Sequence, residues 1–398
     1  MLSPRNIIPN AIRDPVVAWD GLVTTKIIEL CTQLEEARKQ PFHYLSHMHF
    51  RAIGTGSALI LLLRRFILFL SVGLPLAPAA LARSQQPLRI YFIDVEGGQS
   101  TLIVTPAKQS VLIDTGFAGE RDADRIWQAA KAAGIKQIDY VFITHYHQDH
   151  VGGVADLLKK MKVGVFVDHG ENQEDSDAAK RSYADYVAAI KHNVRAVLRP
   201  GEGVPIKGIT LQVVAAAGDL ITDPLPGAGE ANIYCASEKQ PPDDASENSR
   251  SLGVLISYGK FRFLDLGDLT EKKELELVCP NNLIGTADLY LATHHGGHPD
   301  NPRALVWALH PRVAVINNGS HKGGNPEAWQ IIHDSPDLAD LWQLHYAIDS
   351  DQAHNAAQSS IANVDERSDG HCIEVEAGSD GKFSVTNSRN GLEKKYEK

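Results

Sequence analysis

The chain has 398 residues, of which 43% are hydrophobic and 22% are charged. These are ordinary values for a globular protein, and the length allows one large domain or two modest ones. The formal net charge is −10. Because proteins that hold phosphate backbones by charge usually carry a basic face or a high pI, this balance argues against broad nucleic-acid binding, although a local basic groove is compatible with it.

The first predicted feature is a secretory signal peptide over residues 48–82. Two arginines precede an uncharged apolar run at residues 66–82, which ends in Ala-Leu-Ala, a pattern typical of a cleavage site. The run is short for a membrane span and contains two prolines, so an uncleaved anchor is the less favoured alternative. We therefore expect a secreted or periplasmic protein with no stable membrane span after cleavage. Residues 1–47 are interpreted as a start-site artefact or a disordered leader.

Three of the four cysteines, Cys235, Cys279 and Cys372, follow the predicted cleavage point. In an exported chain they allow at most one disulfide and leave an odd thiol. Their wide spacing matches no zinc-knuckle pattern, and a buried apolar role is the favoured interpretation for at least one of them.

From residue 88 onward, strand-like and helix-like segments alternate. The first half predicts three strands (LRIYFIDV, TLIVT and SVLIDTG), then a helix that ends near Gly134, and then a strand, IDYVFIT, that is buried on both faces. A helix (VADLLKKM), a strand (VGVFVDHG) and a longer helix (DAAKRSYADYVAAIKHN) follow.

The second half repeats this order, with a hairpin turn at Gly259 between SLGVLISY and FRFLDLGD and a terminal hairpin around residues 378–381. Two batches of β structure, each followed by helices, predict an α/β fold, a four-layer αββα sandwich that forms a single domain over residues 88–390. Residues 218–250 show no periodicity and are predicted to be a long flexible loop, either a flap over the active site or a disordered segment.

The stretch HYHQDH at residues 145–150 follows the buried strand IDYVFIT. His145 and His147 are two positions apart, so both rings can point the same way, whereas Asp149 and His150 begin the next turn. Neutral imidazole and carboxylate groups suit Zn²⁺, and also Mn²⁺ or Fe²⁺. The pattern therefore predicts two half-sites, each with one pair of ligands.

Further ligand-type residues follow other predicted strands, at the sheet edge where α/β proteins usually bind ligands. They are Asp114, Asp268, His294 and His295. Simpler roles stay open for two of them, Asp114 as a turn residue and Asp268 as a helix N-cap.

The order of these motifs along residues 88–320 resembles the metallo-β-lactamase superfamily. FIDVEGGQSTLIVT (92–105) and HHGG (294–297) resemble the branch that contains the hydrolase domain of the competence DNA-uptake channel and choline-phosphate esterases of cell walls. The first stretch in that branch usually reads DVGQGDS, and this chain departs from it at Glu96 and Gln99.

The resemblance implies a dinuclear site with two Zn²⁺ ions, Mn²⁺ or Fe²⁺ being alternatives. It assigns His145 and His147 to metal 1, Asp149 and His150 to metal 2, Asp268 to both, one histidine of the pair His294/His295 to metal 2, and Asp114 to orienting the ligand loop. The other histidine of the pair is left to contact substrate. His294 or His321 could give a proton to the leaving group, although His321 could equally be an ordinary loop residue.

One ligand expected from the resemblance is missing, because residues 247–251 (ENSRS) hold no histidine where most two-metal relatives supply a third one to metal 1. His169 is a candidate substitute, and water or Asn248 are alternatives. His169 could also be an ordinary histidine at a strand end.

The resemblance implies a metal-dependent hydrolase that acts on a phosphodiester through activated water. The signal peptide predicts that this enzyme is exported, and the acidic net charge favours a small-molecule or cell-envelope substrate. Amide or lactone hydrolysis at the same site is the alternative. A mononuclear iron redox enzyme on the same fold, or a fold retained for binding with a structural metal, are hypotheses of a different class.

Overall fold

The computed structural model describes residues 86–398. The predicted leader at 1–47 and signal peptide at 48–82 lie outside the described residues. Among residues 86–398, no helix combines the length and the apolar character that crossing a bilayer requires.

The strands of residues 86–398 are numbered in chain order. They are β1 (Leu88–Phe92), β2 (Thr101–Val104), β3 (Ser110–Ile113), β4 (Gln137–Phe142), β5 (Lys162–Asp168), β6 (Val194–Val197), β7 (Thr210–Ala216), β8 (Asp219–Leu220), β9 (Gly253–Tyr258), β10 (Phe261–Asp265), β11 (Leu289–Leu291), β12 (Val313–Ile316), β13 (Asp340–His345), β14 (Ile361–Asn363), β15 (Ile373–Ala377), β16 (Phe383–Asn387) and β17 (Glu393–Tyr396).

The α-helices of the same part of the chain lie between these strands. They are α1 (Glu120–Ala132), α2 (Gln148–Val151), α3 (Val154–Lys160), α4 (Asp177–Ile190), α5 (Glu271–Val278), α6 (Arg303–Leu309) and α7 (Pro326–His333).

The strands form two sheets. The first has the order β17-β16-β15-β1-β2-β3-β4-β5-β6, and the second has the order β14-β13-β12-β11-β10-β9-β7-β8. Within the first sheet β3 to β6 run parallel, and within the second sheet β10 to β14 run parallel. Because the carboxyl ends of parallel neighbours meet at one edge, residues that follow these strands are brought together.

Three apolar layers hold the sheets and helices together. Facing side chains such as Phe92 and Phe263, whose ring centroids are 5.7 Å apart, fill the space between the sheets. The outer face of the first sheet is covered through residues such as Ile126 of α1, and that of the second through residues such as Leu305 of α6. The predicted four-layer αββα sandwich is confirmed.

Local signals in the sequence also correspond to the observed turns. Helix α1 ends just before Gly134, which has a φ of 77°, and Gly259 has a φ of 58° in the turn between β9 and β10. The terminal hairpin of β15 and β16 turns through residues 378–381. These positions favour glycine because a positive φ is costly for other residues.

Residues 218–250, predicted to be a loop, contain only β8 and two short 3₁₀ segments, Ile233–Ser237 and Asn248–Arg250. A disulfide between Cys235 and Cys279 attaches this segment to the end of α5. Cys372 is a free thiol, and burial raises its pKa to about 12. One disulfide and one odd thiol agree with the number that the sequence allows, whereas the flexibility of the segment stays a prediction.

We expect Cys235→Ser to lower the free energy of unfolding by roughly 2–4 kcal/mol, because the unfolded chain regains the freedom of the loop that the disulfide closes. Urea titration followed by circular dichroism measures this change. Cys372→Ser is the matched control and should change the free energy by less than about 1 kcal/mol. A peptide map of the unreduced protein in which Cys235 and Cys279 both react with an alkylating agent would contradict the pairing.

Candidate metal centre

The candidate site lies at the edge where parallel strands of both sheets end. Asp114 and residues 143–150 follow the parallel strands β3 and β4 of the first sheet. Asp268 and residues 294–295 follow the parallel strands β10 and β11 of the second sheet. The packing of the two sheets therefore brings ligand-type residues from four strand ends to one place.

Four buried residues form the centre of the site: Asp149, His150, Asp268 and His295. One candidate ligand atom from each lies within 4.8 Å of those of the other three. The Nε2 atom of His150 is 3.2 Å from Asp268 Oδ2, and the Nε2 atom of His295 is 3.3 Å from Asp149 Oδ2. Two carboxylates and two imidazole nitrogens that converge in this way fit a divalent cation.

The structure separates the roles of His294 and His295. Both residues have positive φ, 53° and 57°, which is unusual for residues other than glycine and sends the two side chains in different directions. The side chain of His295 is buried against Asp149. The side chain of His294 is about 33% exposed, and its Nδ1 lies 2.5 Å from Asp300 Oδ2. His295 is therefore the candidate ligand, and His294 faces the opening of the site.

The second half-site consists of His145, His147 and the same Asp268. Both His145 Nε2 and Asp268 Oδ1 are buried without a hydrogen-bond partner. His145 Nε2 lies 3.9 Å from Asp268 Oδ2. Unpaired buried polar atoms are costly, and a second cation bound to this nitrogen and this carboxylate oxygen would satisfy both. His147 is 29% exposed, so this half-site is the more open one.

Carboxylates hold three of these histidines. Asp114 Oδ2 is 2.7 Å from His150 Nδ1, and the backbone N–H of Thr144 donates to Asp114 Oδ1 at 2.8 Å. Glu174 Oε2 is 3.0 Å from His147 Nε2, in the same kind of contact that Asp300 makes with His294. Partners of this kind fix ring orientation at metal sites. Asp114 therefore stands where the resemblance places a supporting residue, and its role stays a prediction.

Burial and charge together set the protonation of the site. Burial and the neighbouring His150 hold the pKa of His145 well below its ordinary value. Burial opposes ionisation of Asp268, but the imidazoles of His150, His295 and His294 outweigh it and lower the pKa of Asp268 well below its ordinary value. A neutral imidazole and an ionised carboxylate are the forms that bind metals.

His150 differs from His145, because three carboxylates surround it. Burial lowers the pKa of His150, but Asp268, Asp149 and Asp114 outweigh burial and raise that pKa well above its ordinary value. A cation at the centre would take over this balancing charge and release the proton.

Two predicted site residues, His169 and His321, contact residues outside both half-sites. His169 Nε2 is 3.0 Å from Glu247 Oε2, and its ring packs 4.7 Å from the ring of Tyr146. The side chain of His321 is about half exposed, with contacts to Asp349 and Glu366. His169 as a ligand and His321 as a proton donor stay predictions. Asn248 Nδ2 lies 3.4 Å from His294 Nε2, beside the site.

Two glycines explain why the segment 92–105 borders the site. A Cβ on Gly98 would lie 2.3 Å from the backbone oxygen of Asp149, and the N–H of Gln99 donates to that oxygen at 3.0 Å. A Cβ on Gly97 would lie 3.0 Å from Cβ of Lys322. The segment therefore supports the ligand loop through its backbone, and only small residues allow this approach.

Three contacting residues were not predicted from the sequence: Glu174, Asp300 and Lys322. The Nζ atom of Lys322 forms an ion pair with Asp149 Oδ2. Each of the three lies in a polar loop without a recognisable motif, so the sequence offered no signal beyond an ordinary solvated side chain.

Residues 93–233 match the family model of the metallo-beta-lactamase superfamily. The ComE operon protein 3 of Bacillus subtilis is 27% identical over 252 residues, which cover 58% of this chain and 28% of that protein. The lactamase-like protein nscB of Trichophyton rubrum is 31% identical over 107 residues, which cover 27% of this chain and 33% of that protein. The chain thus spans a third or less of these relatives' lengths.

Among solved structures, the metallo-beta-lactamase fold protein YhfI from Bacillus subtilis is 11% identical and matches with a TM-score of 0.40, over 65% of this chain and 95% of that one. The match of residues 93–233 to the family model confirms the resemblance to the metallo-beta-lactamase superfamily that the sequence predicted. The similarity to ComE operon protein 3 agrees with the predicted branch.

We expect Asp114→Asn to weaken binding of Zn²⁺ by about 10- to 100-fold, because the amide cannot give His150 the charged partner that orients its ring. Titration calorimetry of the metal-free protein measures the affinity. Asp185→Asn, on the exposed face of α4, is the matched control. Unchanged affinity in Asp114→Asn would show that Asp114 is only a turn residue.

Proposed function

We propose that this member of a hydrolase superfamily is an exported enzyme that holds two divalent cations, Zn²⁺ by preference, and cleaves a phosphodiester in a small molecule or the cell envelope. The observation that carries the proposal is the buried, unpaired Nε2 atom of His145 beside the four-residue centre, together with the unpaired Oδ1 atom of Asp268 within it. Mn²⁺ or Fe²⁺ would suit the same nitrogen and oxygen donors.

Two divalent ions, when bound, lower the pKa of water towards neutrality and stabilise negative charge that develops on a substrate oxygen. One ion would be held by Asp149, His150 and His295, and the other by His145 and His147, with Asp268 between them. Two carboxylates among the ligands argue against a purely structural metal, because structural zinc sites usually close with cysteine or histidine.

His294 is the favoured proton donor to the leaving group. Burial opposes its charge, but the carboxylates of Asp268 and Asp300 outweigh burial and raise the pKa of His294 above its ordinary value. Asp300 contacts Nδ1 of His294, which leaves Nε2 available. This Nε2 atom lies 3.6 Å from Asp268 Oδ2 and beside Asn248. A protonated imidazole at the opening can give its proton to an alkoxide or phenolate.

The space beside His294 supports a small substrate. A pocket of about 370 Å³ is lined by His294, Asn248, His298 and residues 241–245 of the segment 218–250. This volume is in the range of small-molecule sites. The position of residues 241–245 supports the interpretation of that segment as a wall or flap of the site.

Export is supported by the Cys235–Cys279 disulfide, because such bonds persist in oxidising compartments. The similarity to ComE operon protein 3 supports a location at the cell envelope. The acidic net charge of −10 favours a small or envelope substrate over long nucleic acid.

Amide or lactone hydrolysis is the second candidate, because the same activated water can attack a carbonyl carbon. A mononuclear iron redox enzyme is less well supported, since one ion at the four-residue centre would leave the buried Nε2 atom of His145 without a partner.

We expect protein purified without added metal to contain about two Zn²⁺ or Mn²⁺ ions per chain and to hydrolyse bis(para-nitrophenyl) phosphate faster than a cephalosporin or a lactone. Asp268→Ala should abolish turnover while the chain stays folded, because it removes the ligand shared by both half-sites. Elemental analysis, the three assays and circular dichroism measure these results, with Asp185→Ala as the control. One iron per chain with visible absorbance would favour the redox hypothesis instead.

We expect His294→Ala to slow a diester with an alkyl leaving group at least about tenfold more than one with a para-nitrophenyl group, because nitrophenolate departs without a proton. The measurement compares kcat on both substrates. His321→Ala is the competing variant, and His192→Ala is the surface control. If the leaving-group dependence followed His321 and not His294, the assignment of the proton donor would be reversed.

A further inference from the structure

The positively charged side chain of Lys322 reaches the proposed metal centre. Lys322 forms an ion pair with Asp149 Oδ2, and the same oxygen lies 3.3 Å from the Nε2 atoms of both His150 and His295. Its ammonium group therefore stands beside a candidate metal ligand.

The loop that carries Lys322 is fastened to the site. The N–H groups of Gly324 and Asn325 donate to the backbone oxygens of His295 and Gly296, both at 2.9 Å. The N–H of Gly319 donates to the oxygen of Lys322 at 2.8 Å, which closes the loop. The backbone position of Lys322 is thus coupled to His295, while the side chain remains 41% exposed.

A cation bound at the centre would compete with Lys322 for Asp149. Both are positive, and the ammonium group now occupies the carboxylate oxygen that faces His150 and His295. Repulsion between like charges a few ångströms apart favours movement of the flexible lysine away from the metal, towards the opening. An anionic substrate group held at the metal would offer it a new partner there.

We propose that Lys322 forms an anion-binding subsite, in which its ammonium group binds a non-bridging oxygen of a phosphate group, or another anionic oxygen, beside the metal centre. The inference rests on the proposed function for its metal ions and adds the residue that would recognise the negative charge of the substrate. The loop that carries Lys322 lies close to Gly97, where a Cβ would be 3.0 Å from Cβ of Lys322.

The test uses inorganic phosphate as a competitive inhibitor of the zinc-loaded full chain, assayed with whichever of the three chromogenic substrates it turns over. We expect Lys322→Met to weaken phosphate inhibition about tenfold or more, because a hydrogen bond to a charged group is lost. Lys322→Arg should retain most of the inhibition, and Lys191→Met, on the surface after α4, should leave it unchanged. The zinc content of each variant, measured by elemental analysis, should stay at the wild-type level.

Unchanged phosphate inhibition in Lys322→Met, or a loss of zinc that accounts for the weaker inhibition, would overturn the subsite and leave Lys322 as a residue that only balances Asp149. This outcome differs from failure of the proposed function. A protein that hydrolyses a lactone but no phosphodiester, yet loses phosphate inhibition in Lys322→Met, would refute the phosphodiesterase activity and still support the anion subsite.

Discussion

Asp268 links the two halves of the site, and the rest of the arrangement depends on its position. It follows a strand of the second sheet, yet its Oδ2 atom lies 3.2 Å from Nε2 of His150, which follows a strand of the first sheet. A buried carboxylate is costly unless charged or hydrogen-bonding groups surround it, and here imidazoles from both sheets do so. The contact is possible only because the sheets pack face to face with these strand ends at one edge.

Carboxylates and backbone groups around the site hold its histidines in turn. Asp300 contacts His294 through one oxygen and accepts the N–H of Glu271, at the start of α5, through the other. Glu174 contacts His147 and accepts the N–H of Glu247 at 2.8 Å. The orientation of these two imidazole rings is therefore fixed by contacts to a helix start and to a neighbouring loop. This limits the reorganisation needed when a cation binds.

Glu247 also holds in place the segment 247–251, which lacks the expected histidine. Its two carboxylate oxygens accept the N–H of Gln173 and contact Nε2 of His169. The segment 247–251 and the loop before α4 are thus fastened together, and Glu174 is carried on that loop. His169 contributes to this fastening, a function that the strand-end pattern did not suggest.

Much of the fold and the centre of the site could be predicted from the sequence. Buried strands, helix ends and turns are encoded by local periodicity and by residues such as Gly259, and HYHQDH places four ligand-type residues directly after a buried strand. Asp114, Asp268 and the His294/His295 pair were predictable for the same reason, since each follows an apolar run. Local patterns determine the fold class and the chemical type of the site.

Only the tertiary structure decided which of two adjacent histidines turns inward, because that choice depends on positive φ angles at both residues and on Asp300. It also decided which cysteines pair, and it brought Glu174 and Lys322 to the site from loops without periodicity. Contacts between loops far apart in sequence arise from the packing of the two sheets. No spacing within the chain records them, and for that reason the sequence alone determined the types of candidate ligand but not most of their partners.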